Sequence, residues 1–254
     1  MRLSKFYKIF VISMAMALGA GNMAISGPHG LIVPATPENT VILLDIHEVM
    51  LQKFIGPMLK AAAYFPKKYE MIKGVSRELL AAMYQLRNQK NVTGELFARV
   101  ALQHNNKALA EFIIMLASIQ FPIEGTVETI KELKARGFKL YIASNIGPIS
   151  FAKLQETKPE LFNSDIFELE FSQIANYEPG KMVCKPDPLF FEELKAKVRQ
   201  HQRSLGNNKE LNMLFIDDSK KNIDAAVKSG LHVVHFKNPV QLKESLKQQF
   251  QINL

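Results

Sequence analysis

Cysteine is almost missing from this chain. Cys184 is the one thiol among 254 residues, so no intramolecular disulfide can form. Cysteine usage is therefore silent about the redox compartment, and no other feature marks Cys184 as a nucleophile. Internal repeats and low-complexity tracts are missing too, which sets aside solenoid and linker architectures. Nor is there a stripe of one charge sign. Of the net +8, Arg2, Lys5 and Lys8 supply three charges near the N-terminus, and the remaining basic residues alternate with Glu on helix-like stretches such as Glu128–Arg136. Such alternation marks solvated helix faces, so no nucleic-acid partner is expected. A modest positive field does suit an anionic small-molecule substrate.

What is present has the balance of a globular protein, with 47% hydrophobic and 22% charged residues. The length allows a full core with room for an insertion. Met1–Lys8 is basic and free of acids, and Ile9–Ala20 is an apolar run. That run suits a signal-peptide core and falls short of the roughly 20 residues of a membrane span. Ala24-Ile25-Ser26 before Gly27 fits a small-x-small cleavage site, with Ala15-Met16-Ala17 and Gly19–Gly21 in competition. Residues 1–26 therefore read as a signal peptide of an exported protein, periplasmic or secreted, with no stable membrane insertion after cleavage. Left uncleaved, the same segment would be a membrane anchor.

Beyond a Pro- and Gly-rich connector over Gly27–Asn39, Val41–Asp45 (VILLD) is a continuous apolar run that predicts a strand buried on both faces. Over residues 54–120 apolar positions recur at helical spacing, in Arg77–Arg87, Glu95–Gln103 and Ala108–Ile119, and no clear strand is legible. From Gly125 onward strand and helix alternate. Helices are expected at Thr126–Arg136, Pro148–Thr157, Asp187–Gln200, Lys221–Ser229 and Leu242–Phe250. Strands are expected at Lys139–Ser144, Ile166–Ser172, Met213–Asp217 and His232–Phe236. The pattern predicts an α/β fold, a doubly wound parallel sheet covered on both sides, formed by residues 27–53 and 121–254. Residues 54–120 enter between the first strand and the rest, so they read as a helical cap inserted into that sheet.

Ligands bind such sheets beyond the carboxyl ends of the strands, so the residues ending each strand matter. The first ends in Asp45, followed by Ile46 and His47; the second in Ser144-Asn145; the strand over Met213–Asp217 in Asp217-Asp218. Lys185-Pro186 opens a helix between them. Carboxylates from two strands suit Mg²⁺, a hard ion that prefers oxygen ligands. Lys185 and the metal would neutralise a phosphate and the charge that develops during its transfer. Ser144 and nearby amides would hydrogen-bond phosphoryl oxygens, and Asp45 would attack phosphorus. Lys185 also keeps neighbouring carboxylates ionised despite their repulsion. Adjacent acids after a buried strand repel one another unless a cation lies between them.

These residues resemble the haloacid dehalogenase superfamily, whose members are mostly phosphatases. The resemblance runs from Val41 to Phe236. It rests on Asp45 after its apolar strand, Ser144 in YIASN, Lys185 in KPDPLFF and Asp217-Asp218 in FIDDSKKNIDAA, in that order at strand ends. The insertion resembles the helical cap of one large subgroup, and the stretch from Tyr141 to Phe236 is most similar to the branch holding sugar-phosphate phosphatases and the phosphatase domain of epoxide hydrolases. The resemblance implies that Asp45 is nucleophile and metal ligand and that Asp218 is the main ligand from the later strand. Asp217 would be a further or supporting ligand, and Asn222 a support outside the ligand set. The backbone carbonyl of His47 would face the metal. Ser144 and Asn145 would bind phosphate, and Lys185 would bind both phosphate and Asp45.

One position departs from the family. Its phosphatases carry a second Asp two residues after the nucleophile, as general acid and base, where this chain has His47; Glu48 follows, where glycine is common. Either His47 takes over proton transfer, its ordinary pKa of about 6.5 suiting that work, or the acid function is lost and a slow enzyme or a ligand-binding protein remains. A cationic imidazolium beside Mg²⁺ is penalised, which weakens it as an acid. The metal-free dehalogenase branch fits less well, because Asp217-Asp218 would lack a counter-charge.

Overall fold

The five residues of strand β1, Thr40–Leu44, are all buried, as a strand covered by helices on both faces must be. The computed structural model describes residues 34–52, 61–87, 94–168 and 183–254. The leader read over residues 1–26 lies outside them. After β1 the chain passes through a short strand β2, Leu51–Gln52, and enters a helical segment: α1 (Lys68–Lys73), α2 (Arg77–Arg87), α3 (Gly94–Gln103) and α4 (Lys107–Ser118). It returns through strand β3, Phe121–Pro122. The rest alternates as α5 (Glu124–Ala135), β4 (Lys139–Ile142), α6 (Pro148–Thr157), α7 (Pro188–Ser204), β5 (Asn212–Asp217), α8 (Lys220–Lys228), β6 (His232–His235) and α9 (Pro239–Phe250).

The main sheet is parallel, in the order β4-β1-β5-β6. Successive side chains on a strand point to opposite faces. Ile42 and Leu44 accordingly join a core with Ile130, Leu133, Phe151, Leu154, Leu242 and Leu246, from α5, α6 and α9. Val41 and Leu43 join a second core with Phe190, Phe191, Leu194, Ile223 and Ala226, from α7 and α8. The fold is thus an α/β sheet wound on both sides. Each fully buried Leu or Phe contributes about 1.5–3 kcal/mol, so the two cores dominate the stability of the sheet.

The helical segment has a core of its own, in which Leu79, Met83, Phe97, Ala101, Leu109 and Phe112 pack together. It joins the sheet through an antiparallel ladder that pairs Leu51 with Pro122 and Gln52 with Phe121. This two-residue ladder has no counterpart in the sequence reading, since two residues are too few for a period-2 pattern and one of them is proline.

Local chemistry sets the helix ends. The Asp187 carboxylate accepts from Leu189 N–H at 3.0 Å, and Pro188 occupies the first helical position of α7. Gly137 and Gly230, after α5 and α8, have φ of +90° and +78°, a conformation glycine adopts without steric penalty. The expected strand at Ile166–Ser172 reaches the edge of the described residues. Ile166 and Phe167 lie in a turn, and Glu168 N–H donates to Leu140 C=O at 2.9 Å beside β4. Its remaining residues lie outside the described ones.

Candidate active site

Because neighbouring strands run parallel, their carboxyl ends meet at one edge of the sheet. Asp45 follows β1, and its N–H still donates to Ile216 C=O on β5 at 3.0 Å, which fixes its backbone against that strand. Asp217 ends β5 and Asp218 follows it. Asp45, Asp217 and Asp218 each present a carboxylate oxygen within 4.8 Å of the others. Residues far apart in sequence are therefore gathered at one point.

Lys185 lies among them. Its side chain is 1% exposed, and Nζ is 2.6 Å from Asp217 Oδ2 and 3.0 Å from Asp45 Oδ1. The ammonium also stands 5.2 Å from the centre of the Phe215 ring, a cation–π contact strengthened by burial. Asn145 fixes the lysine from behind: its Nδ2 donates to Lys185 C=O at 2.9 Å, and its Oδ1 accepts from Lys185 N–H at 2.8 Å. Its amide oxygen and one of the two hydrogens on Nδ2 engage the main chain of Lys185, so it positions that lysine.

Asp217 is fully buried and well supplied with donors. Besides Lys185, Ser219 N–H reaches Oδ1 at 2.8 Å, and Asn222 Nδ2 lies 3.0 and 3.1 Å from its two oxygens. Asn222 thus supports Asp217. Asp218 is less buried, and its carbonyl accepts from His235 Nε2 at 2.9 Å, so that ring nitrogen carries hydrogen. Of the two adjacent acids, Asp218 is the more open to a ligand.

Ser144 Oγ is buried beside Asp45, whose carboxylate it helps to hold ionised. Its hydroxyl rotates about its own bond, so it can also turn to a phosphoryl oxygen at that carboxylate. His47 is half-buried, with Nδ1 2.8 Å from Gln120 Oε1. With that amide oxygen as acceptor, Nδ1 carries a hydrogen. Glu48 has φ of +61°, in the left-handed region that favours glycine.

The charges are held against their burial. Burial acts to raise the pKa of Asp45, yet Lys185, aided by His47, holds it below the usual carboxylate range. Burial and then Asp45 push Asp217 up to about 6, against the opposing pull of Lys185. Burial acts to lower the pKa of Lys185, but Asp217 and Asp45 keep it above its ordinary value. Three carboxylates against one ammonium leave two negative charges, the charge a divalent cation carries. An ion with oxygen ligands at about 2.1 Å spans roughly 4.2 Å, so the acidic oxygens need only a slight closing to share one. The donor set fits Mg²⁺: Asp45 and Asp218 as ligands, with Asp217 held beside them.

Burial pushes the Cys184 thiol up to about 11, which leaves it inert as a nucleophile. The sequence reading missed Gln120, Phe215 and His235, since nothing in their local pattern marks them.

The model of the haloacid dehalogenase-like hydrolase family matches residues 41–230. No curated relative matches the chain. Similar solved structures include a HAD family enzyme of Bacteroides thetaiotaomicron in complex with magnesium and inorganic phosphate, 16% identical with a TM-score of 0.49, covering 79% of this chain and 95% of that one. The L-2-haloacid dehalogenase of Xanthobacter autotrophicus is 16% identical with a TM-score of 0.44 and 84% coverage of both chains. A hydrolase of Streptococcus pneumoniae TIGR4 is 16% identical with a TM-score of 0.44, covering 83% of this chain and 99% of that one. On the family match over residues 41–230, with Asp45, Lys185 and Asp217-Asp218 gathered at one edge of a parallel sheet, the chain belongs to the haloacid dehalogenase-like hydrolase family.

Proposed function

We propose that the chain is a magnesium-dependent phosphomonoester hydrolase, a phosphatase that works through an aspartyl-phosphate on Asp45. The observation that carries this reading is the pairing of a buried Asp45–Lys185–Asp217 cluster with the buried hydroxyl of Ser144 against Asp45. A bound Mg²⁺ would supply a counter-charge for the phosphate and for the charge developing in the transition state.

An Asp45 carboxylate oxygen attacks phosphorus as the bond from phosphorus to the leaving oxygen breaks. That oxygen takes its proton from the imidazolium form of His47, whose ring Gln120 holds through Nδ1. Water then attacks the phosphorus, giving up a proton to His47, and the bond to Asp45 breaks to release inorganic phosphate and restore the carboxylate. Ser144 Oγ and Lys185 Nζ hold phosphoryl oxygens throughout, and Lys185 keeps Asp45 ionised before attack. The substrate is a small phosphorylated molecule, met in an exported compartment if residues 1–26 direct secretion. No nucleic acid takes part.

Hydrolysis of an aryl phosphate by the purified chain, with Mg²⁺ and with a chelator, tests this. Metal-dependent turnover that disappears in Asp45→Asn supports it; turnover that survives either change sinks it. His47 favours a second reading, ligand binding without turnover, because it replaces the usual acid of these phosphatases. Silence in the wild type, with activity appearing in His47→Asp, would select that one.

A further inference from the structure

We propose that Glu95, in the helical segment, is a positioning residue for the catalytic centre, docking α3 onto the loop that carries Ser144 and Asn145. Glu95 lies in the first turn of α3 and is 1% exposed. Burying a carboxylate is expensive without partners, and its partner here lies on the sheet side. Oε2 accepts from Ile149 N–H at 3.1 Å, while Oε1 is 3.7 Å from Arg99. Ile149 is in the first turn of α6, a helix that lacks an N-cap of its own: Gly147 at that position has no side chain, and Pro148 has no N–H. Glu95 therefore supplies from the helical segment the cap that α6 does not contain, and its charge suits the positive end of the helix.

Gly147 is shaped to this contact. A Cβ added there would lie 2.7 Å from Glu95 Cδ and strike Oε2, although φ of −77° and ψ of 160° suit any residue. Glycine is required at this point by the approach of Glu95. From α6 the contacts lead directly into the site: Ser144 and Asn145 lie in the loop just before it, and Asn145 holds the main chain of Lys185. Helix α4 lies along α6 as well, so the helical segment rests on the element that orders this loop.

The kinetic arm of the test rests on the hydrolase reading; the amide-exchange arm does not. In Glu95→Ala and in Gly147→Ala, the Ile149 amide should exchange faster with solvent, and kcat for an aryl phosphate should fall about tenfold, as misplacement of a catalytic group by a fraction of an ångström does. Glu95→Gln, whose amide oxygen can still accept from Ile149, should stay within about threefold of wild type. Introduced into Glu95→Ala, Gly147→Ala should cost little more, because the space for its methyl is now open. Unchanged exchange at Ile149 in both single variants overturns the docking. Faster exchange with kcat intact, or full additivity of the two substitutions, overturns the positioning role. If Glu95→Ala fails to fold, Gly147→Ala and Glu95→Gln still decide. A wild type without turnover removes only the hydrolase reading, and the exchange arm stands.

Discussion

Lys185 donates a 2.6 Å hydrogen bond to Asp217, and both side chains are closed to solvent. One ammonium thus holds carboxylates from two strands, since Asp45 shares it. Removing one partner of a buried pair leaves an uncompensated charge, which costs about 3–5 kcal/mol. Lys185→Met should therefore lower the unfolding free energy of the metal-free protein by that order in a urea titration. An unchanged midpoint would mean that the carboxylates do not depend on this lysine.

Ser144→Ala separates stability from function. Its hydroxyl touches the Asp45 carboxylate, which Lys185 also holds, so the substitution should lower stability by no more than about 1–2 kcal/mol. A hydrogen bond to a phosphoryl oxygen would vanish, lowering kcat/KM about tenfold. Unaltered kinetics would remove Ser144 from the site.

Acid should release the metal. Asp217 has its pKa pushed up to about 6 by burial and Asp45, so it takes a proton as pH falls through that value, and a divalent ion loses one of its surrounding charges. For the metal-free fold this group acts in the opposite sense. A carboxyl whose folded pKa is raised binds its proton more tightly when folded, so its contribution to stability declines as pH rises from the ordinary carboxylate value through about 6. The stabilisation that Mg²⁺ adds in thermal melts should accordingly be larger at about pH 7.5 than at about pH 5. Equal shifts at both values would argue that Asp217 is not part of the ion's surroundings.

Glu48 occupies a left-handed conformation at φ of +61°, which costs a non-glycine residue roughly 1–2 kcal/mol. Glu48→Gly should relieve most of this, offset by the greater entropy of glycine in the unfolded chain, for a net gain of about 0.5 kcal/mol in urea denaturation. A loss of stability would show that the Glu48 side chain makes contacts that outweigh its backbone strain.

Residues that strand-end position gathers at one edge of the sheet were legible in advance. Asp45, Ser144, Lys185 and Asp217-Asp218 are polar residues where buried apolar runs stop or a helix opens, and the structure brings them together. The parallel sheet was legible for the same reason, because its strands are continuous apolar runs. Contacts between distant side chains were not. Asn145 turns to the main chain of Lys185, Gln120 reaches His47, and Glu95 reaches Ile149; nothing in the local spacing of these residues encodes its partner. Helix α7 runs on to Ser204, past the expected end at Gln200, for a related reason. His201 and Gln202 are polar yet buried, because both hydrogen-bond the Tyr141 hydroxyl inside the fold.

The ladder between Leu51–Gln52 and Phe121–Pro122 sets the two ends of the helical segment side by side. A segment tethered in this way can be swapped for one of another shape without disturbing the strands that deliver Asp45, Ser144 and Asp217. Such a transplant would have two debts to the sheet, a carboxylate to meet the Ile149 amide and an amide to hold the His47 ring, so a chimera built on this scaffold should carry Glu95 and Gln120 across with it.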